Sequence, residues 1–333
     1  MHDEQAMERA LHLAAGARTH ASPNPWVGAL VVPADGSAPG EGATRPPGGD
    51  HAEIVALRAV GARSVGSTLY TTLEPCSHHG RTPPCADAIV DAGVARVVIG
   101  IEDPDPEVAG RGIERLRAAG IDVTVGVAAA LVAEQLGPYL KHRRTGRPWV
   151  LCKLAATADG RLAAPDGSSQ WITGEDARRD AHRLRAESDA VIVGAGTVRA
   201  DDPSLTVRHV DGPDPRRVVL GPIPDGARVL PARSESGDLG GVLDRLGAEG
   251  VTQVLVEGGA TVAGAFHRAG LVDRYVLYVA PCLLGGDDGT PVFAGPGATT
   301  MADAWRGRFH SVTQVGEDLR IELTPRTAEP AVR

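Results

Sequence analysis

The sequence predicts an α/β fold divided into two domains, and three observations carry that expectation. Segments of helical spacing alternate with short apolar runs bounded by turn residues, and this alternation breaks and restarts near residue 146. The 333 residues exceed what one hydrophobic core usually supports. Aromatic residues make up only 3% while Gly and Pro number 42 and 25, so the cores must be built from Ala, Val and Leu with many turns between elements.

In the first half, Asp3 stands where an N-cap is expected, and Met7, Ala10, Leu11 and Ala14 recur at helical spacing. Residues 26–32 form a short apolar run and predict a strand. A helix over residues 51–60 ends at Gly61; strand 68–73, helix 86–92, strand 96–100, helix 111–119, strand 121–125 and a helix near 132–140 follow. Alternation at these lengths implies a mainly parallel or mixed sheet with helices on its faces. The basic, apolar-poor stretch from Lys141 to Pro148 reads as a solvated linker. It separates a domain of residues 1–145 from one of 146–325, with a tail of 326–333. The second half restarts with strand 149–154, a helix opened by Thr173 with Asp176 completing a capping box, and strand 190–194. Strands 217–220, 251–257 and 274–279 come next, and residues 309–315 and 319–323 close the chain as a pair.

Charge and cysteine usage exclude several function classes. Thirty-four basic residues against 42 acidic ones give a net charge of −8, which argues against nucleic acid as a partner and leaves small phosphorylated substrates open. No apolar run reaches the roughly eighteen residues of a membrane span, and the opening Met1-His2-Asp3-Glu4 lacks the basic-then-apolar order of a secretory signal. A cytoplasmic protein without a membrane partner is expected. Four cysteines, Cys76, Cys85, Cys152 and Cys282, are too few for a disulfide scaffold, so a clustered pair reads as metal binding or chemistry.

Such a cluster is present. His51-Ala52-Glu53 opens a predicted helix, Pro75-Cys76 comes twenty-odd residues later, and Cys85 starts another helix. One imidazole and two thiolates make a three-ligand zinc set that leaves a fourth position for water, the mark of a catalytic site. Residues two apart on a helix diverge, so His51 and Glu53 can serve one site only at the helix N-terminus; the turn Gly48-Gly49-Asp50 fits that placement. Glu53 is then the candidate general base. A closed structural site with Glu53 as fourth ligand is disfavoured, because such sites use Cys and His.

This arrangement resembles the cytidine-deaminase superfamily, with its H-x-E and P-C…C pattern. The long spacer Glu74-Pro75-Cys76-Ser77-His78-His79-Gly80-Arg81-Thr82-Pro83-Pro84-Cys85, together with Pro23-Asn24-Pro25-Trp26-Val27-Gly28, is similar to the riboflavin-pathway deaminase in particular. The resemblance implies an α/β/α deaminase domain in which Asn24 contacts substrate, and it gives His78 and His79 a choice between a supporting role and a solvated one.

In the second half, Gly194-Ala195-Gly196-Thr197-Val198 and Glu257-Gly258-Gly259-Ala260-Thr261 place small residues at strand-to-helix junctions, where a phosphate can approach backbone N–H groups. Neither is a full G-x-G-x-x-G, so spacing alone says little. The strings 153–161, Gln170-Trp171-Ile172-Thr173, 200–208 and Val256-Glu257-Gly258-Gly259 resemble the riboflavin-pathway reductase, a dihydrofolate-reductase-like domain, in the family's order. That resemblance implies that Ala155, Trp171, Thr197, Asp201 and the loop 259–265, with Gly259, Ala260 and Thr261, lie against NADPH. It implies that Lys153, Ser169, Arg185, Leu205, Arg208 and Glu257 hold substrate, two arginines suiting a ribose phosphate. Two departures stand out: Gly221-Pro222 replaces an acidic turn, and residues 234–250 are expected to omit a strand.

The expected activity is zinc-dependent deamination of a diamino-ribosylamino-pyrimidinone 5′-phosphate, then NADPH-dependent reduction of its ribosyl group to ribityl by a homo-oligomer, a dimer being favoured. Lys153, Asp201 and Glu257 remain open as the group assisting reduction. The alternatives are a deaminase whose reductase domain has lost its coenzyme, a nucleoside or nucleic-acid deaminase with an unrelated second domain, and a non-enzymatic module stabilised by zinc.

Overall fold

The computed structural model describes residues 2–78 and 83–326. The chain divides into two compact units, Met1–Gly146 and Arg147–Arg333.

The first unit runs α1 (Asp3–Ala21), β1 (Gly28–Val32), β2 (Gly40–Ala43), α2 (Ala52–Val60), β3 (Thr68–Leu73), α3 (Cys85–Asp91), β4 (Arg96–Ile101), α4 (Arg111–Ala118), β5 (Asp122–Val125), α5 (Ala129–Gln135) and α6 (Gly137–Thr145). Its sheet has the order β2-β1-β3-β4-β5, with β1 antiparallel to both neighbours and β3, β4 and β5 parallel. The helices pack closely because small residues face the sheet. Ala6, Ala10, Ala14, Ala17 and Ala21 of α1 are fully buried. A Cβ on Gly28 would stand 1.9 Å from the Ala10 carbonyl oxygen, and one on Gly42 would stand 2.0 Å from that of Ala52. Glycine at these two positions lets helix backbone rest on strand backbone, and Gly42 thereby seats the N-terminus of α2.

Local expectations fail in two places here. The N-cap of α1 is His2, one residue before Asp3. The Asp3 carboxylate instead accepts from Arg96 at 2.9 and 2.8 Å and from the Tyr70 hydroxyl at 3.0 Å, tying α1 to the sheet. The supposed linker is helical through Thr145: Tyr139 and Leu140 bury the inner face of α6, its basic last turn complements the helix C-terminus, and Gly146 ends it at φ 71°.

The second unit runs β6 (Trp149–Thr157), β7 (Arg161–Ala163), α7 (Glu175–Ala186), β8 (Ala190–Gly194), α8 (Ala195–Asp201), β9 (Arg216–Leu220), β10 (Arg233–Glu235), α9 (Leu239–Ala248), β11 (Gln253–Gly258), α10 (Ala260–Arg268), β12 (Arg274–Ala280), β13 (Thr290–Pro291), β14 (Gly307–Val315) and β15 (Asp318–Pro325). An eight-stranded sheet has the order β10-β9-β8-β11-β6-β12-β15-β14, parallel from β10 to β12 and closed by antiparallel β15 and β14. The central strands are apolar on both faces, as covered parallel strands require.

Two more expectations are corrected. The helix after Trp171 starts at Glu175 with Gly174 as N-cap, and no capping box forms from Thr173 and Asp176. The Gly174 N–H donates to the Asp318 carboxylate at 2.7 Å, so a distant residue sets the helix start. Residues 234–250 do not lack a strand: Arg233–Glu235 pairs in parallel with β9 at the sheet edge, and its polar side chains explain why no strand pattern is visible there.

Candidate active sites

Strand β3 ends at Leu73 and delivers Glu74, Pro75 and Cys76 to the edge of the sheet, where α2 and α3 begin. His51 is the N-cap of α2, Glu53 lies in its first turn, and Cys85 is the first residue of α3. The ligand atoms of His51, Cys76 and Cys85 lie within 4.8 Å of one another. His51 Nδ1 is 3.6 Å from Cys76 Sγ and 3.2 Å from Cys85 Sγ, and the Cys85 backbone N–H donates to Cys76 Sγ at 3.3 Å. Hydrogen bonding from Cys85, and then from His51, holds the Cys76 thiol well below its ordinary range; the same pairing, with burial, pushes Cys85 up. The bond to Cys76 raises His51 to about 9. An imidazole and two converging sulfurs, one of them favoured as thiolate, are a donor set that fits zinc. The Glu53 side chain is buried beside them, and burial pushes its carboxyl up to about 7.

His51, Cys76 and Glu53 line a cavity of about 350 Å³, which also includes Asn24 and the exposed His78. His79 lies outside the described residues. The sequence reading passed over part of this lining. Asp103 and Asp105, in the acid–proline alternation after β4, stand on the cavity wall with Tyr139 and Arg143 of α6. Burial pushes the Asp103 carboxyl up to about 6. The loop bearing these acids is held by Glu74, whose carboxylate accepts from the backbone N–H groups of Asp103, Gly110, Gly112 and Ile113 at 3.2, 3.0, 2.9 and 3.2 Å.

In the second unit, β8 and β11 are parallel neighbours whose C-terminal ends lead into α8 and α10, the end of an α/β sheet where ligands bind. Thr197 on α8 accepts the Gly259 N–H at 2.9 Å, bringing those two residues together; Ala260 is buried and Thr261 exposed on α10. Lys153 and Ala155 project from β6 beside β11, and Glu257 ends β11. Arg185 of α7 grips both carboxylate oxygens of Glu257, Nη2 at 2.7 Å, and its Nη1 donates to the Thr206 carbonyl at 3.1 Å. Three of its five donors are thus taken by protein groups, which limits the phosphate grip expected of it. Burial alone would raise Glu257, but Arg185 outweighs it and the carboxyl sits below its usual value. Burial lowers Lys153.

The remaining residues are more peripheral. Arg208 is exposed, with Nη1 donating to the Ser204 and Thr206 hydroxyls at 2.6 and 3.1 Å, and its backbone N–H donates to His182 Nδ1 at 2.9 Å. Trp171 is 70% exposed with the Arg178 guanidinium 4.5 Å over its ring. Ser169 is half-buried, and Asp201 is exposed at the end of α8. Leu205 is buried in the small cluster with Val191, Val193 and Val198, which leaves mainly its backbone to face a ligand.

Comparisons with known proteins agree with both halves. A family model described as the cytidine and deoxycytidylate deaminase zinc-binding region matches residues 1–101, and the RibD C-terminal domain matches residues 148–321. The riboflavin biosynthesis protein RibD of Escherichia coli is 42% identical over 367 residues, covering 97% of this chain and 99% of that protein. Its Mycobacterium tuberculosis counterpart is 48% identical over 316 residues, covering 91% and 92%. The structure superposes on Acinetobacter baumannii RibD with a TM-score of 0.91 at 38% identity over 98% and 99% of the two chains. It matches a Thermotoga maritima diaminohydroxyphosphoribosylaminopyrimidine deaminase/5-amino-6-(5-phosphoribosylamino)uracil reductase with a TM-score of 0.89 at 33% identity over 97% and 98%. The chain therefore belongs to the RibD family of bifunctional riboflavin-biosynthesis enzymes, in which a zinc-binding deaminase domain precedes an NADPH-dependent reductase domain.

Proposed function

We propose that the unit with the His51, Cys76 and Cys85 cluster deaminates a diamino-ribosylamino-pyrimidinone 5′-phosphate, and that the second unit reduces the ribosyl group of the product to ribityl. The convergence of His51, Cys76 and Cys85 at the head of α2, with Glu53 buried beside them, carries the reading. Zinc held by those three residues supplies an activated water. Glu53 takes a proton, returns it to the ring nitrogen next to the amine-bearing carbon, and assists departure of ammonia; a carboxyl near neutrality suits both transfers. Asn24, which lines the same cavity, orients the ring.

In the reductase, NADPH supplies the hydride, and Ala155, Trp171, Thr197, Asp201, Gly259, Ala260 and Thr261 are proposed to hold it. Lys153, Ser169, Arg185, Leu205, Arg208 and Glu257 are proposed to hold substrate, with Arg208 the main phosphate ligand because its guanidinium meets only hydroxyls. Of the three groups open for assisting reduction, Lys153 fits best. Glu257 is ionised by Arg185 and suits accepting from a sugar hydroxyl, whereas Lys153, whose ammonium form burial disfavours and the Glu257 charge favours, has a proton with which to polarise the opened sugar imine.

The domain limits 1–145 and 146–325 are proposed on the same grounds, and of the tail 326–333 residues 327–333 lie outside the described residues. A cytoplasmic location is supported by four unpaired cysteines. Dimerisation is supported by Phe309 and Val312, exposed on the sheet-edge strand β14. The test is Lys153→Gln: reduction of the deaminated substrate should be lost while ammonia release from the starting substrate stays at wild-type rate. Reduction at the wild-type rate would contradict the role given to Lys153.

A further inference from the structure

Helix α6 touches the deaminase cavity through two side chains one turn apart on the same face, Tyr139 and Arg143. The Tyr139 hydroxyl donates to both carboxylate oxygens of Asp103, at 3.1 and 3.0 Å. Arg143 Nε lies 3.4 Å from Asp105 Oδ2, and the guanidinium stacks 5.2 Å from the centre of the Tyr139 ring. Asp105 in turn donates its backbone N–H to Asp103 Oδ1 at 2.9 Å. The four side chains form one connected chain along a wall of the cavity that also holds His51, Cys76 and Glu53.

Burial disfavours the ionised form of Asp103, and the charge of Asp105 adds to the effect. The phenol and the guanidinium counter that penalty from one side only. Each ionised carboxylate has about four acceptor positions. Asp103 uses them for Tyr139 and the Asp105 N–H, and Asp105 for the Glu107 N–H at 3.0 Å and Arg143, so both keep free acceptor capacity. A wall of spare acceptors complements a ring edge rich in N–H donors. We propose that Tyr139 and Arg143 are positioning residues for deamination, holding Asp103 and Asp105 as an ionised acceptor pair for the amino-bearing edge of the pyrimidine. The inference rests on the deaminase reading given above.

The sign of the pH dependence follows from Asp103. Its neighbours are Tyr139 and Arg143 from α6, Glu74 at the end of β3, and Asp105 on its own loop. With its carboxyl at about 6, acceptor capacity is complete above that pH and is lost as pH falls through it. Removing the phenolic donor must raise the value further. In Tyr139→Phe the acid limb of log(kcat/KM) for ammonia release should therefore move to higher pH, with KM up by about tenfold, kcat within about threefold and zinc retained. Arg143→Met alters a half-exposed residue and should fold; it should raise KM similarly, and Arg143→Lys should restore part of the loss. Wild-type KM and pH profile in both variants would overturn the proposal, as would a fall in thermal stability with KM unchanged in variants that keep zinc. A wild-type enzyme releasing no ammonia from the pyrimidinone phosphate would remove the deaminase reading and the proposal with it.

Discussion

Two buried ionisable side chains set the most specific expectations at the scale of single residues. Glu53 is 4% exposed, and its desolvated carboxyl can exchange a proton near neutral pH. Glu53→Gln keeps the shape and all three proposed metal ligands, so zinc content by atomic absorption should stay at one per chain. Deamination should fall by about 10²–10⁴, the usual worth of a positioned general base. Activity within about tenfold of wild type would contradict the role. His182, 5% exposed on α7, is the second case. Burial, followed by the charges of Arg185 and Arg208, lowers it to about 4 from an ordinary 6.5. Between those values the unfolded chain binds a proton that the folded one refuses, so the stability of this unit is complete above pH 6.5 and declines as pH falls toward 4. His182→Gln preserves an acceptor for the Arg208 N–H, and it should flatten the loss of thermal midpoint between pH 7 and pH 5. A variant as acid-sensitive as wild type would show that His182 is not the titrating group.

At the scale of elements, the geometry of the proposed zinc ligands depends on how low α2 sits on β2. Gly42→Ala places a Cβ against the Ala52 carbonyl, where only backbone can yield. The expected cost is about 1–3 kcal/mol, read from urea denaturation, together with weaker zinc retention against a chelator because His51 and Glu53 ride on that helix end. Unchanged stability and zinc affinity would contradict it. The same elements explain what was legible in the sequence. His51, Glu53, Cys76 and Cys85 carry their chemistry at junctions of strongly patterned strands and helices, so composition and spacing reveal them together. The start of α7 is set by Asp318, the fate of Asp3 by Arg96 and Tyr70, and the edge strand β10 by pairing with β9. No local pattern records such contacts. The wall of Asp103, Asp105, Tyr139 and Arg143 was missed for the same reason, since α6 lies more than thirty residues beyond the acids it meets. In the second unit the residues proposed to face the ligand rest on family resemblance, because its glycine turns lack a diagnostic spacing.

At the scale of the whole molecule, each compact unit has its own sheet and its own core. Cys76→Ser or Cys85→Ser should accordingly lose zinc and deamination while sparing NADPH oxidation with substrate that is already deaminated. Loss of both activities in a variant that retains its circular dichroism would contradict two independent sites. The central claim is that one chain performs two reactions in a fixed order, and the direct measurement supplies wild-type protein with the pyrimidinone phosphate and follows ammonia and NADPH separately. Ammonia should appear whether or not NADPH is present, and NADPH should be consumed only after ammonia release, one equivalent of each per substrate. NADPH oxidation with no ammonia released, or no ammonia at all, would contradict the account.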